Sequence, residues 1–260
     1  MNPCSFLLSV PGLAWSLTAR GSRARVLGLV FLTTLLILLV NPHSKAEYLT
    51  AAWPLLFAPG AVALEQLARP GRTIAGALVG VLLAVSGALA APLTLPILPV
   101  ESFVHYQRAL GLAPSSAENK VLADLPQFFA DMHGWEALAK DVSAAYLSLP
   151  EAERATTVAL PSNCGEAAAL ELYATSYPLP RVICGHNAYW TWGPGPAPIT
   201  TLIRLGAKRE DYLESYEDVE QVGLHRCAHC MPHENELRVW VARRRRVPVE
   251  RDWAEFKDFE

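Results

Sequence analysis

The first hundred residues alternate between uncharged apolar runs and short loops. Val26 to Val40 reads VLGLVFLTTLLILLV, and no charge occurs from Val26 to Ser44. An apolar helix of roughly 20 residues crosses the hydrocarbon core of a bilayer, so this run predicts a span. A second uncharged run goes from Tyr48 to Leu64. A third goes from Thr73 to Val100, and Pro92, Pro96 and Pro99 predict that its helix ends near Ala91. Pro3 to Ala19 is shorter and interrupted by Pro11-Gly12, which predicts a partial span, a re-entrant piece or a signal-like piece. A cleaved export signal accounts for one run but not for the two that follow it. Residues 1–100 are thus expected to form three transmembrane helices and a fourth, partial one.

The pattern changes after residue 100. Glu101 to Pro126 reads as a proline-punctuated linker with some helical character. Trp135, Leu138, Val142, Ala145 and Tyr146 recur at helical spacing, so 135–147 is expected to be an amphipathic helix ended by Pro150. Residues 101–150 form this linker-and-helix region. From 151 to 260 short strands and helices alternate. Thr156–Leu160, Arg181–Cys184, Thr200–Leu205, Val219–Leu224 and Leu237–Ala242 read as strands, with helices over Gly165–Tyr173 and Arg209–Tyr216. This alternation predicts an α/β domain with a mainly parallel sheet. Ligands in such sheets sit outside the carboxyl ends of the strands.

Composition agrees with a membrane part followed by a water-soluble part. The chain is 52% hydrophobic and only 18% charged, which excludes disorder and is less charged than a typical soluble domain. The net charge of −3 is unevenly divided: residues 1–100 hold six Arg and Lys against two Glu, and the excess acid lies beyond. That acidic part lacks a nucleic-acid footprint, so no nucleic-acid partner is expected. Arg20, Arg23 and Arg25 precede the first strong span, and Arg69 and Arg72 lie between the second and third. Basic residues in short loops stay in the cytoplasm, which predicts a multi-pass protein of the inner (cytoplasmic) membrane with residues 101–260 periplasmic or extracellular. Gly76, Gly80, Ala84 and Ala88 form a stripe of small residues on the third span, read either as ordinary membrane-helix content or as a close helix contact. Pro54, Pro59 and Gly60 predict a kinked second span.

Two loops occupy the expected strand ends. Pro161-Ser162-Asn163-Cys164-Gly165-Glu166 leaves a strand and opens a helix, where Asn163 is either an ordinary cap or part of an anion-holding turn. Gly185-His186-Asn187-Ala188-Tyr189-Trp190-Thr191-Trp192-Gly193-Pro194 is dense in aromatic and polar residues, which suits a sugar, a peptide or a membrane surface, or else a local mini-core. The five cysteines are Cys4, Cys164, Cys184, Cys227 and Cys230. Cys164 and Cys184 fall at neighbouring strand ends and are candidates to pair. Cys227-Ala228-His229-Cys230 is a C-x-x-C with His225 and His233 nearby. A disulfide or free thiols are its leading readings. A structural zinc site needs four ligands at set spacings, and a redox motif of the thioredoxin type opens a helix, whereas Met231-Pro232 follows here.

Several of these runs carry a resemblance. Lys45-Ala46-Glu47-Tyr48-Leu49, followed by Ala52-Trp53-Pro54 and Ala61-Val62-Ala63-Leu64-Glu65, resembles a late transmembrane segment of bacterial family 39-type glycosyltransferases, relatives of protein O-mannosyltransferases and of the aminoarabinose transferase of lipid A. Asn163-Cys164-Gly165-Glu166-Ala167, Gly185-His186-Asn187-x-Tyr189-Trp190-x-Trp192-Gly193-Pro194 and Met231-Pro232-x-Glu234-Asn235 resemble the periplasmic C-terminal domain of its bacterial members. The resemblance implies a GT-C fold, partial here. It implies transfer of a sugar from a polyprenyl-phosphate donor to an extracytoplasmic glycan, lipid or protein acceptor. The family's acidic residue lies in an external loop well before the matched segment, so the chain is expected to be a C-terminal portion, either from a truncated or split gene or served by an upstream catalytic half. Glu47 does not fall at that acid's position. Lys45 and Tyr48 are expected either at the donor phosphate or as an interfacial anchor pair. Asn163, Glu166, His186, Asn187, Tyr189, Trp190 and Trp192 are the expected acceptor or sugar contacts. No catalytic residue is assigned, and the need for a divalent metal stays open. The competing reading is a non-catalytic, membrane-anchored periplasmic binding module.

Overall fold

The computed structural model describes residues 2–18, 22–68, 71–116, 120–195 and 198–259. Ala19, Arg20 and Arg69, invoked above for the first apolar piece and the topology, lie outside the described residues, as do linker residues 117–119. The chain divides into two compact units, Met1–Ala113 and Pro114–Glu260.

The first unit is helical: α1 (Phe6–Thr18), α2 (Ser22–Val40), a 3-10 helix Ala46–Ala52, α3 (Pro54–Leu67), α4 (Arg72–Thr94) and α5 (Val100–Ala109). Among the described residues two helices are long and apolar enough to cross a membrane, Arg23–Val40 and Thr73–Thr94. Phe31 of α2 is buried against Leu56, but much of the apolar surface of the two helices is uncovered. Leu36, Ile37 and Leu39 of α2 and Ile74, Val81 and Leu89 of α4 are all exposed.

The second uncharged run takes a different form from a single helix. It is a 3-10 turn followed by the 14-residue α3. At 1.5 Å per residue α3 is about 21 Å long, short of the roughly 30 Å hydrocarbon core. The change of helix type falls at Trp53–Pro54, and proline suits the first position of an α-helix, where its missing N–H is no loss. Helix α4 continues past the expected end at Ala91 to Thr94, with Pro92 inside it and Leu95 N–H still closing onto Ala91 O at 2.9 Å.

Helices α1 and α3 pack through small residues. Ser5 and then Ser9, Gly12 and Ser16 of α1 are buried, as are Leu56, Pro59, Gly60 and Ala63 of α3. A Cβ on Gly12 would overlap the Leu56 carbonyl, and one on Gly60 the Leu8 carbonyl. The Ser9 and Ser16 hydroxyls donate back to Ser5 O (2.8 Å) and Gly12 O (2.7 Å), so the buried face keeps its donors satisfied. On the α4 stripe, by contrast, a Cβ at Gly76 or Gly80 would meet nothing within 4 Å. The close helix contact of this unit thus lies on α1 and α3.

The second unit contains α6 (Gln127–Ala130), α7 (Trp135–Ser148), α8 (Glu151–Arg154), β1 (Thr157–Leu160), α9 (Cys164–Tyr173), β2 (Arg181–Val182), α10 (Ala188–Trp192), β3 (Thr201–Leu205), α11 (Arg209–Leu213), β4 (Tyr216–His225), β5 (Leu237–Arg245) and α12 (Val249–Asp252). The sheet order is β2-β1-β3-β5-β4. It is mixed, a correction to the expected mainly parallel sheet: β1 pairs in parallel with β2 and β3, while β5 runs antiparallel to both β3 and β4. A parallel neighbour needs a crossover, usually helical. Between β4 and β5 there is only a 3-10 turn, Pro232–Glu234, so the chain folds straight back. The strand expected over Arg181–Cys184 is paired only at Arg181–Val182.

Alternate strand residues enter two apolar layers. Ala159, Ile203, Leu205, Val239 and Val241 face Leu138, Val142 and Leu149 of the α7 side and Leu170 of α9. Val158, Leu160, Leu202, Trp240 and Ala242 face Tyr212, Tyr216 and Val249. The strand β1 is buried along its whole length, as a central strand covered on both faces should be.

Candidate functional site

The parallel strands β1, β2 and β3 direct three loops to one end of the sheet. Asn163 caps α9, its Oδ1 accepting from Glu166 N at 2.9 Å, and Glu166 Oε2 accepts from Ser162 N at 2.7 Å. The Asn163 bond satisfies one of the first donors of the helix, and Glu166 reaches back to the residue before the cap. Ser162 Oγ donates to Leu205 O at the end of β3 (3.3 Å). Cys164 N donates to His186 Nδ1 at 3.0 Å, which fastens the first loop to the second. His186 Nε2 lies 3.1 Å from Asn187 Nδ2.

Asn187 has φ 51° and ψ −132°, a conformation that strongly favours glycine. Such strain costs about 1–3 kcal/mol and persists where neighbours over-determine it. Here the C-terminal segment does so: Asn187 N donates to Asp258 O (2.7 Å) and Asp258 N to Gly185 O (3.1 Å). Gly185 has no room for a Cβ, which would overlap the Phe256 carbonyl. The indoles of Trp190 and Trp253 exchange hydrogen bonds with each other's backbone carbonyls at 3.0 and 2.9 Å, and Lys257 lies 5.0 Å from the Trp190 ring centroid.

The aromatic residues of this loop therefore divide. Trp190 is partly buried and fastens the C-terminal segment. Tyr189 and Trp192 pack ring against ring at 4.5 Å, and Trp192 is 66% exposed. Tyr189 donates to Glu171 Oε2 at 2.8 Å; burial first, then this bond, push its phenol well above the usual range. Glu166, read from the sequence as a contact to sugar or acceptor, turns inward and is buried. Burial raises its carboxyl, against the opposing pull of the Ser162 and Asn163 backbone groups and of Arg204. Lys45 and Tyr48 belong to the first unit, at the start of its 3-10 helix, where Tyr48 N donates to Lys45 O (3.1 Å) and the Tyr48 side chain is exposed.

Beneath Glu166 lies a small cavity, lined also by His133, Trp135, His225, Cys230 and Glu234. None of the sugar or acceptor contacts expected from the sequence lines it except Glu166. The cavity's signal was the Met231-Pro232-x-Glu234-Asn235 run, where a buried acid follows a proline turn. Glu234 Oε2 is buried without a hydrogen-bond partner. Burial, then the charges of Asp131 and Glu166, push the Glu234 carboxyl up to about 7. His225 Nδ1 lies 2.8 Å from Asp141 Oδ2 and ties the end of β4 to α7. All five cysteines are free thiols, so Cys164 and Cys184 are not bonded to each other. Among the described residues no three His, Cys, Asp or Glu side chains are grouped to hold a metal ion.

Comparison with known proteins finds no matching family model, no matching curated protein and no matching solved structure.

Proposed function

We propose that the chain is the C-terminal part of a membrane glycosyltransferase, moving a sugar from a polyprenyl-phosphate donor to an acceptor outside the cytoplasm. The observation that carries this reading is the fastened loop pair. Pro161–Glu166 and Gly185–Pro194 are joined at Cys164 and His186, sit at the carboxyl ends of parallel strands, and hold Tyr189 and Trp192 as a pair of aromatic rings tilted 59° to each other. Aromatic rings beside imidazole and amide groups suit a sugar, whose apolar ring face stacks while its hydroxyls form hydrogen bonds. His186, Asn187, Tyr189 and Trp192 are then the contacts, with Asn163, Glu166 and Trp190 holding the loops in place.

The uncovered apolar faces of α2 and α4 support a multi-pass membrane location with a GT-C-like arrangement, because such surface is costly in water. Arg23 and Arg25 at the start of α2 and Arg72 at the start of α4 favour the cytoplasm for those ends, which leaves the α/β unit outside. Lys45 and Tyr48 then fall on the outer side, where a lysine suits the donor phosphate. The catalytic acid comes from an upstream half. The acids of residues 1–113 are Glu47, Glu65 and Glu101, and this scarcity is what favours the second reading, a membrane-anchored binding module without transfer.

The test uses membranes containing the full chain, with and without its genomic neighbours, and a radiolabelled polyprenyl-phosphate sugar. Transfer that depends on the chain and falls about tenfold or more in Trp192→Ala supports the transferase, on the scale of one lost stacking contact. Sugar binding with no transfer in either setting selects the binding module. Neither binding nor transfer overturns both.

A further inference from the structure

We propose that Cys227 and Cys230 are a redox-active pair that exchanges with external disulfides, Cys227 attacking and Cys230 resolving. The two residues differ in accessibility: Cys227 is partly exposed, whereas Cys230 is 5% exposed. They are held together within the turn, Cys230 N donating to Cys227 Sγ at 3.2 Å and Cys230 Sγ to Cys227 O at 3.4 Å. The partly exposed Cys227 sulfur is the one an external disulfide can reach. Only the 3-10 turn Pro232–Glu234 follows the pair.

The surrounding structure fixes the turn. Asn235 Oδ1 accepts from Cys227 N and Glu236 N, both at 2.9 Å. Gly134, at φ +93°, gives α7 an entry that lies directly against both cysteines; an added Cβ would stand 2.9 Å from Cys227 Sγ and 3.4 Å from Cys230 Cβ. The buried partner has a proton acceptor available. Cys230 and Glu234 line the same cavity, and Glu234 Oε2 has no hydrogen-bond partner. Burial and the neighbouring Cys227 sulfur hold the Cys230 thiol well above its usual range, so it needs that acceptor to react at neutral pH. Glu234 titrates at about 7, where it can take up a proton and release it.

The chemistry closes in two exchanges with a disulfide RSSR, either small or on a protein. Cys227 thiolate attacks one sulfur, the S–S bond breaks, and RS⁻ leaves with a mixed disulfide on Cys227. Cys230 gives its proton to Glu234 and attacks Cys227 Sγ, forming the Cys227–Cys230 bond and releasing the second RS⁻. The two thiol protons pass to the two leaving thiolates, one through Glu234. The dithiol is oxidised and RSSR is reduced to two RSH.

The test is a redox titration of the full chain in detergent with reduced and oxidised glutathione, trapped by a maleimide mass tag and mapped by peptide mass. Both thiols should be lost together in one two-electron transition. Cys230→Ser should accumulate a glutathione adduct on Cys227, and Cys227→Ser should form no such adduct at Cys230. Glu234→Gln should slow the resolving step about tenfold or more near pH 7 with unchanged circular dichroism. Independent glutathionylation of the two cysteines, thiols that persist under oxidised glutathione, or zinc bound by the purified chain would each overturn the proposal. Unchanged resolution in Glu234→Gln would overturn the role of that carboxylate.

Discussion

Gly185→Ala tests how the candidate loop is held. The added methyl would overlap the Phe256 carbonyl, so the backbone of the C-terminal segment must retreat. Retreat threatens the Asn187–Asp258 and Asp258–Gly185 backbone bonds and the paired indole bonds of Trp190 and Trp253. Each such bond is worth about 1 kcal/mol net, so the loss is about 2–4 kcal/mol, depending on how many survive. The strained Asn187 would also lose the partner that over-determines its backbone. The assay is denaturant unfolding of the full chain in detergent, followed by tryptophan fluorescence, with amide exchange over 253–259. Wild type should protect those amides and Gly185→Ala should not. Trp253→Ala acts on the same latch, so the two costs should fall short of additive in the double variant. Wild-type stability and protection in Gly185→Ala would refute the reasoning.

Two more expectations follow from other parts of the chain. In the first unit, Gly60→Leu should disrupt the α1–α3 contact and lower detergent-solubilised thermal stability, whereas Gly80→Ala, which meets open space on α4, should leave the fold intact or firmer by up to about 1 kcal/mol; equal effects from the two would contradict the assigned contact. In the second unit, Glu234 titrates at about 7 against an ordinary 4.5, so the folded state holds the proton more tightly. The contribution of Glu234 to stability should be greatest below about pH 4.5 and fall by about 1–3 kcal/mol through pH 7, then level. Asp131 and Glu166 face Glu234 and add to the effect, while His233 Nε2, 3.9 Å from Oε1, opposes it where protonated. Glu234→Gln should remove most of that slope in unfolding measured at pH 5 and pH 8, and a flat wild-type profile would contradict the assignment.

Much of the second unit was legible because its signals are local. The helix over 135–147 follows from one apolar stripe, and β1 and β3 from short β-branched runs. Strand spacing alone does not give the direction of β5; the absence of any helical pattern between His225 and Leu237 is the signal that a hairpin leaves. The inward turn of Glu166 was hidden for a different reason. A cap and a ligand contact use the same residue types, and only the position of Ser162 N separates them. Trp190 and Trp253 lie 63 positions apart, and no local pattern announces their mutual bonds. In the first unit, the run from Tyr48 to Leu64 has a span's hydropathy, but Pro54 starts a new helix within it.

The account rests on α2 and α4 sitting in a bilayer with the α/β unit on its outer side. A reporter enzyme that works only outside the cytoplasm, fused behind residue 260 and expressed in bacterial cells, reads this directly. The account predicts reporter activity in a membrane fraction that survives alkaline washing. A silent reporter, or a chain recovered in the detergent-free soluble fraction, would contradict it.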